Sequence, residues 1–111
     1  MNTNIIGTMN ILNIFNECNC KKLIFLSSVD SLGIFQGEDK PKYLPIDEKY
    51  PCHPKKAYSI SKYSNEKMCE YNNTVFNKPI LCIRAPGVWS EDTYKVIKDK
   101  RIEDPKYEWF P

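Results

Sequence analysis

Apolar and polar positions follow two different rhythms along this chain. Over residues 3–17, "TNIIGTMNILNIFNE", Ile5, Met9, Leu12 and Phe15 recur at three- and four-residue steps, which predicts an amphipathic helix that the polar cluster "NECNCKK" ends. "LIFLSS", residues 23–28, is instead an unbroken apolar run closing on two hydroxyls, the pattern of a strand buried on both faces of a parallel sheet. A loop follows, punctuated by Gly33, Gly37, Pro41, Pro45, Pro51 and Pro54. From Ala57 to Phe76 the helical rhythm returns, with Ala57, Ile60, Ser61, Ser64, Met68, Tyr71 and Val75 as the expected inner face. Pro54 lies just before this helix and "NKP" closes it. "ILCIR", residues 80–84, predicts a second buried strand, broken by "APG"; residues 88–111 are polar, with Trp89, Trp109 and Phe110 scattered through them, and no element is predicted there.

Helix, buried strand, loop, helix, buried strand describes part of a parallel α/β sheet. Such sheets need both faces covered and neighbours on each side, and only two strands are visible. The chain is therefore expected to be a slice of a larger fold, with open faces and edges that favour self-association. Its 111 residues and 41% hydrophobic content allow one small domain at most.

Sixteen basic residues against 14 acidic ones give a net charge of +2 with no single-sign cluster, which argues against nucleic acid as a partner. No apolar run approaches the ~20 residues of a membrane span, and "MNTNIIGTMN" lacks the basic start and cleavage site of a signal peptide. A cytoplasmic protein without a membrane partner is expected. The five cysteines lack metal-ligand spacing: Cys18 and Cys20 form C-x-C, while Cys52, Cys69 and Cys82 stand apart. Reduced, structural thiols and no metal are expected, and His53, the sole histidine, is assigned to a surface loop.

Candidate chemistry centres on Tyr-x-x-x-Lys, which occurs three times: Tyr58 with Lys62, Tyr63 with Lys67, and Tyr94 with Lys98. Residues four apart share one helix face, so each lysine can reach its tyrosine. Five residues of helix turn through about 500°, so Tyr63 points about 140° away from Tyr58 and the two pairs cannot serve one site. Position selects Tyr58: it opens its helix, and in open α/β sheets ligands bind at the carboxyl ends of strands, where "LIFLSS" delivers Ser27 and Ser28.

The ordered segments "NIIGTMNIL", "KKLIFLSSVDSLG", "YLPIDEKYPCHPKKAYSISKYSNEK" and "ILCIRAPGVW" together resemble the middle of an extended short-chain dehydrogenase/reductase, in the NAD-dependent epimerase/dehydratase branch. The resemblance covers residues 2 to about 90. It implies that residues 1–90 are the central part of an NAD(P)-binding Rossmann-like domain lacking its N-terminal dinucleotide-binding βαβ unit, and that 91–111 begin a truncated substrate-binding region. It also implies a Tyr acting as general acid/base on a substrate hydroxyl or carbonyl while a hydride moves to or from a nicotinamide. A phenol needs a neighbouring cation to do this near neutral pH, and the resemblance assigns that part, with a hold on the nicotinamide ribose, to Lys62.

By the same resemblance Ser28, five residues before Gly33, hydrogen-bonds the reacting oxygen, with Ser27 as its backup and a further cofactor contact. Asn4 takes a structural and proton-relay position, plain helix capping being its other reading. Ala85, Pro86 and Gly87 border the nicotinamide, with Ala85 replacing the family's usual first Pro. Asp30 falls where the dehydratases often carry Glu; a solvated loop acid is its other reading. Asp47 and Glu48 belong to a loop near the substrate entrance and are not assigned a catalytic part.

The family's glycine-rich dinucleotide turn has no counterpart among Gly7, Gly33, Gly37 and Gly87. Two functions of different class follow. One is a segment of an NAD(P)-dependent sugar-nucleotide epimerase, dehydratase or reductase, acting as an oxidoreductase or isomerase on a nucleotide-sugar or other hydroxy/keto substrate, with the isolated chain inactive. The other is an inactive remnant that pairs with another chain through its open sheet edge.

Overall fold

The computed structural model describes residues 2–35 and 39–103, so Gly37, Trp109, Phe110 and Pro111 lie outside the described residues. The elements run α1 (Asn2–Glu17), β1 (Leu23–Ser28), a short 3-10 turn (Val29–Leu32), α2 (Ala57–Phe76), β2 (Ile80–Ala85) and α3 (Glu91–Glu103). β1 and β2 pair in parallel, with Leu23 opposite Ile80 and Ser28 opposite Ala85. This is part of a Rossmann-like parallel sheet with flanking helices.

Side chains alternate between the faces of a strand. One face carries Leu23, Phe25 and Ser27 beside Ile80, Cys82 and Arg84, and α2 packs against it. The other carries Ile24 and Leu26, 58% and 62% exposed, beside the exposed Leu81 and Ile83. The expected burial of β1 on both faces, and of β2 as a buried strand, is thus corrected. Their apolar runs suit doubly covered strands, but among the described residues the second face is largely exposed.

Helix α1 turns Thr8, Leu12 and Phe15 inward, whereas Met9, expected on that face, is exposed with Ile6, Ile11 and Ile14. Helix α2 has the expected bounds and buries Ser61 as expected, but much of its inner face differs. Ser61, Asn65, Cys69 and Asn72 are buried, and Ile60, Tyr71 and Val75 are exposed. Ser61 and Asn72 pair with polar groups of α1, whereas Asn65 Oδ1 is buried without a hydrogen-bond partner among the described residues. Asn16 and Asn72 exchange amide hydrogen bonds of 2.8 and 3.0 Å, and the Asn4 amide donates to Ser61 Oγ at 3.2 Å. Small side chains that satisfy one another let α1 and α2 approach closely. Asn77 ends α2 in the left-handed region at φ 52°, its N–H bonded to Asn73 O.

The loop between β1 and α2 has its own apolar cluster: Leu32, Ile34 and Tyr50, with Val29, Phe35, Ile46 and Cys52 packed against it. Gly33 closes the 3-10 turn at φ +79°, where a Cβ would collide with the His53 carbonyl. Helix α3 corrects the expectation of an irregular polar tail. Ser90 caps it by accepting from Thr93 N at 3.2 Å, Glu91 and Asp92 occupy its first turn, and Lys95 pairs with Glu91 at 3.4 Å. No helix among the described residues is long and apolar enough to cross a membrane.

Candidate active site

Tyr58 lies in the first turn of α2 and is 50% exposed, as a group that meets a ligand must be. One turn on, the Lys62 ammonium sits 5.9 Å from the Tyr58 ring centroid and 5.6 Å from that of Phe25, and donates to Leu26 O at 3.2 Å. Lysine is flexible and loses rotamer freedom when held. Here the strand carbonyl and two aromatic faces hold it, placing the Lys62 ammonium at Leu26 O, the residue before Ser27 and Ser28 in β1.

The other two pairs have different surroundings. Lys67 lies 5.6 Å from the Tyr63 ring, but its ammonium is engaged by Glu70 at 2.9 Å on the exposed side of α2. Tyr94 sits on α3 with its ring 6.2 Å from that of Trp89.

Ser28 is buried, and its Oγ accepts from Asp30 N at 3.1 Å, capping the 3-10 turn. Ser27 faces the other way and donates its hydroxyl proton to Glu66 Oε1. Asn4 reaches the site through Ser61, whose hydroxyl donates to Tyr58 O at 2.7 Å, so a polar chain runs from α1 to the first turn of α2. Ala85 stands opposite Ser28 in the sheet register, and Pro86 and Gly87 follow it, exposed. A Cβ on Gly87 would come within 2.6 Å of Trp89 Nε1, so a larger residue there would have to displace the indole.

Beneath this group lies an ion pair that motif reading missed. Glu66 accepts from Arg84 Nη2 at 2.8 Å, from Arg84 Nε at 3.1 and 3.2 Å, and from Ser31 Oγ at 3.0 Å, besides Ser27. Only 10% of the Glu66 side chain and 26% of that of Arg84 are exposed. Burial pushes the Glu66 carboxyl up, but the hydrogen bonds from Arg84 and Ser27 and the guanidinium charge outweigh it and hold the group below the ordinary carboxylate range. The signal was present in "ILCIR", because a charge on the helix-covered face of an apolar strand requires a partner, and Glu66 lies one turn beyond Lys62 on the sheet-facing side of α2.

The NAD dependent epimerase/dehydratase family model matches residues 1–103. This chain belongs to that family. A UDP-glucose 4-epimerase homologue of Methanocaldococcus jannaschii is 34% identical over 88 residues, 79% of this chain and 27% of the relative. The UDP-glucose 4-epimerase of Lactobacillus helveticus is 37% identical over 65 residues, 59% of this chain and 18% of the relative. Among solved structures, UDP-glucuronic acid 4-epimerase from Bacillus cereus, in complex with UDP-glucuronic acid and NAD, superposes at a TM-score of 0.64 with 25% identity. That match covers 75% of this chain and 24% of the neighbour. UDP-glucose 4-epimerase from Brucella ovis in complex with NAD gives 0.66 at 24% identity over the same 75% of this chain and 24% of the neighbour, a likeness of fold. The chain thus spans about a quarter or less of the curated relatives' length.

Proposed function

We propose that this chain carries the acid/base segment of an NAD(P)-dependent sugar-nucleotide epimerase, dehydratase or reductase of the cytoplasm. Residues 1–90 would form the central part of the cofactor domain and 91–111 the start of the substrate-binding region. The supporting observation is the Lys62 ammonium held 3.2 Å from Leu26 O and 5.9 Å from the Tyr58 ring at the carboxyl end of β1.

In this reading the Tyr58 oxygen takes the proton of a sugar hydroxyl, or returns one to the carbonyl. Lys62 stabilises the negative charge passing through that oxygen, Ser28 donates to the reacting oxygen, and Asn4 braces the first turn of α2 through Ser61. Tyr58, Lys62, Ser27, Ala85, Pro86 and Gly87 would hold the nicotinamide end of NAD or NADP, which when bound accepts and returns the hydride. An ammonium and hydroxyls at a strand's carboxyl end suit that half. The described loop glycines do not suit the phosphates: the space at Gly33 is taken by the His53 carbonyl and that at Gly87 by Trp89.

The test grafts residues 1–90 into a complete family member. Tyr58→Phe should lower turnover by ~10²–10⁴ with cofactor binding retained. Lys62→Met should lower both turnover and cofactor affinity, while Tyr63→Phe should stay within about threefold. A Tyr63→Phe chimera of unchanged stability as damaged as Tyr58→Phe would remove the assignment. A second reading, an interaction module, is favoured by the exposed Ile24, Leu26, Leu81 and Ile83 on the sheet. It gains if the graft is inactive with every assigned residue in place.

A further inference from the structure

Four of the five cysteines form two neighbouring pairs in different environments, and the difference concerns chemistry outside the reaction proposed above. Cys69 is fully buried between α2 and the sheet, next to Cys82 on β2. Cys18 and Cys20 instead lie in the five-residue connection between α1 and β1, Cys20 exposed and Cys18 half-buried. Cys20 N donates to Cys18 Sγ at 3.4 Å, and Cys18 Sγ approaches Phe15 O at 3.5 Å. The Lys78 ammonium is fixed below this turn, donating to Cys18 O at 3.1 Å and to Phe15 O, and lying 4.4 Å from the Phe15 ring centroid. Two thiols one residue apart, outside regular structure and beside a fixed cation, are arranged for sulfur chemistry rather than for packing.

We infer that Cys18-Asn19-Cys20 is a modification site that reacts with a low-molecular-weight disulfide and resolves it to an intramolecular disulfide. In the first step the Cys18 thiolate attacks one sulfur of the external disulfide. Its S–S bond breaks, a mixed disulfide forms on Cys18, and one thiol leaves with a proton. In the second, the Cys20 thiolate attacks Cys18 Sγ, the mixed disulfide breaks, and the second external thiol leaves. Overall the two protein thiols lose two electrons and two protons, and one external disulfide becomes two thiols.

The polarity of the pair fits this order. Hydrogen bonding from Cys20, assisted by Lys78, holds the Cys18 thiol below its ordinary range, and the same hydrogen bond and the Cys18 charge push Cys20 above it. Once Cys18 is capped, that charge is gone and Cys20 is released to act as the resolving thiol. The interior pair is polarised in the same sense, with the hydrogen bond between them pushing Cys69 far up and holding Cys82 low, but Cys69 is fully buried beneath α2, where an external disulfide does not reach it.

The experiment treats the whole chain at neutral pH with oxidised glutathione, quenches with acid, alkylates free thiols and reads tryptic peptides by mass. Cleavage after Lys21 gives a peptide, residues 1–21, whose only cysteines are Cys18 and Cys20. It should lose two hydrogens before Cys52, Cys69 or Cys82 changes. Cys20→Ser should trap one glutathione on Cys18, and Cys18→Ser should slow modification of Cys20 by about tenfold or more relative to that trapping. A peptide 1–21 that remains reduced while Cys69 or Cys82 reacts would overturn the inference. So would stable glutathione on Cys20, or equal rates in the two variants.

Discussion

The two faces of the β1–β2 sheet are built from similar apolar strands and meet opposite surroundings. Beneath α2, the face of Phe25, Ser27, Cys82 and Arg84 carries a closed polar network, with Glu66 taking hydrogen bonds from Arg84, Ser27 and Ser31. The face of Ile24, Leu26, Leu81 and Ile83 is apolar and largely exposed. Geometry comes from the covered face: its polar side chains Ser27 and Arg84 are fixed by directional bonds to Glu66, and the candidate acid/base group stands on the helix that covers it. The bare face offers only area, which is non-directional.

The largest effect should come from deleting the centre of the covered face. Glu66→Ala leaves Arg84 beneath α2 without its carboxylate and takes the acceptor from Ser27 and Ser31. Breaking a mostly buried pair from one side should cost about 3 kcal/mol, read as the urea midpoint at neutral pH. A midpoint unchanged from wild type would mean that the network does not hold the face together.

A fraction of that loss should appear on acidification. The Glu66 carboxyl is held low in the folded chain, so its contribution is complete above the unfolded carboxylate range of about 4.3 and fades as pH falls through the lower folded value. Wild type should therefore lose urea resistance below about pH 4, and Glu66→Gln should lose less over the same window. Parallel acid curves for the two would break the link between this carboxylate and the covered face.

How far the sequence carried the reading depends on which force makes each element. Strands β1 and β2 and the bounds of α2 were legible because apolar runs and Pro or Asn punctuation set them. The inner face of α2 was legible only in part: Ser61 was expected there, but Asn72 is buried through an amide pair with Asn16 and Asn65 is buried with its Oδ1 unpaired among the described residues, and a hydrophobic period registers neither. Helix α3 escaped for a related reason: its described side chains are exposed, so its cap at Ser90 and the acids that follow were the only signals. At the site, Tyr58 could be preferred over Tyr63 and Tyr94 by position. The Glu66–Arg84 pair lay outside any motif, and only the cost of a charge on the covered face of an apolar strand announces it.

Between α1 and α2 the comparison can be sharpened with one amide pair. Asn72→Ala should cost about 1 kcal/mol, since the Asn16 amide loses both its bonds in a half-buried place. Replacing both residues by Leu should recover most of that, because no polar group is then left unpaired. If the double variant were the weaker by urea unfolding, the amides would be fixing the helix approach rather than only satisfying each other.

The smallest effect on stability, and the one most specific to the contrast, belongs to the bare face. Ile24→Thr with Leu26→Thr keeps or gains β-branching, removes exposed methyl groups and disturbs no hydrogen bond of the network. Urea unfolding should move by no more than about 0.5 kcal/mol, because these side chains are mostly in water already. Association should respond much more. An apolar patch spanning two strands is a surface that a second copy or a hydrophobic dye can cover, so the doubly substituted chain should sediment nearer the monomer and bind less dye. The same substitution on the covered side, Phe25→Thr, should do the reverse, lowering stability and raising dye binding. A chain whose association is indifferent to Ile24 and Leu26 would have its sticky surface elsewhere, with the exposed Ile6, Met9, Ile11 and Ile14 of α1 the next to substitute.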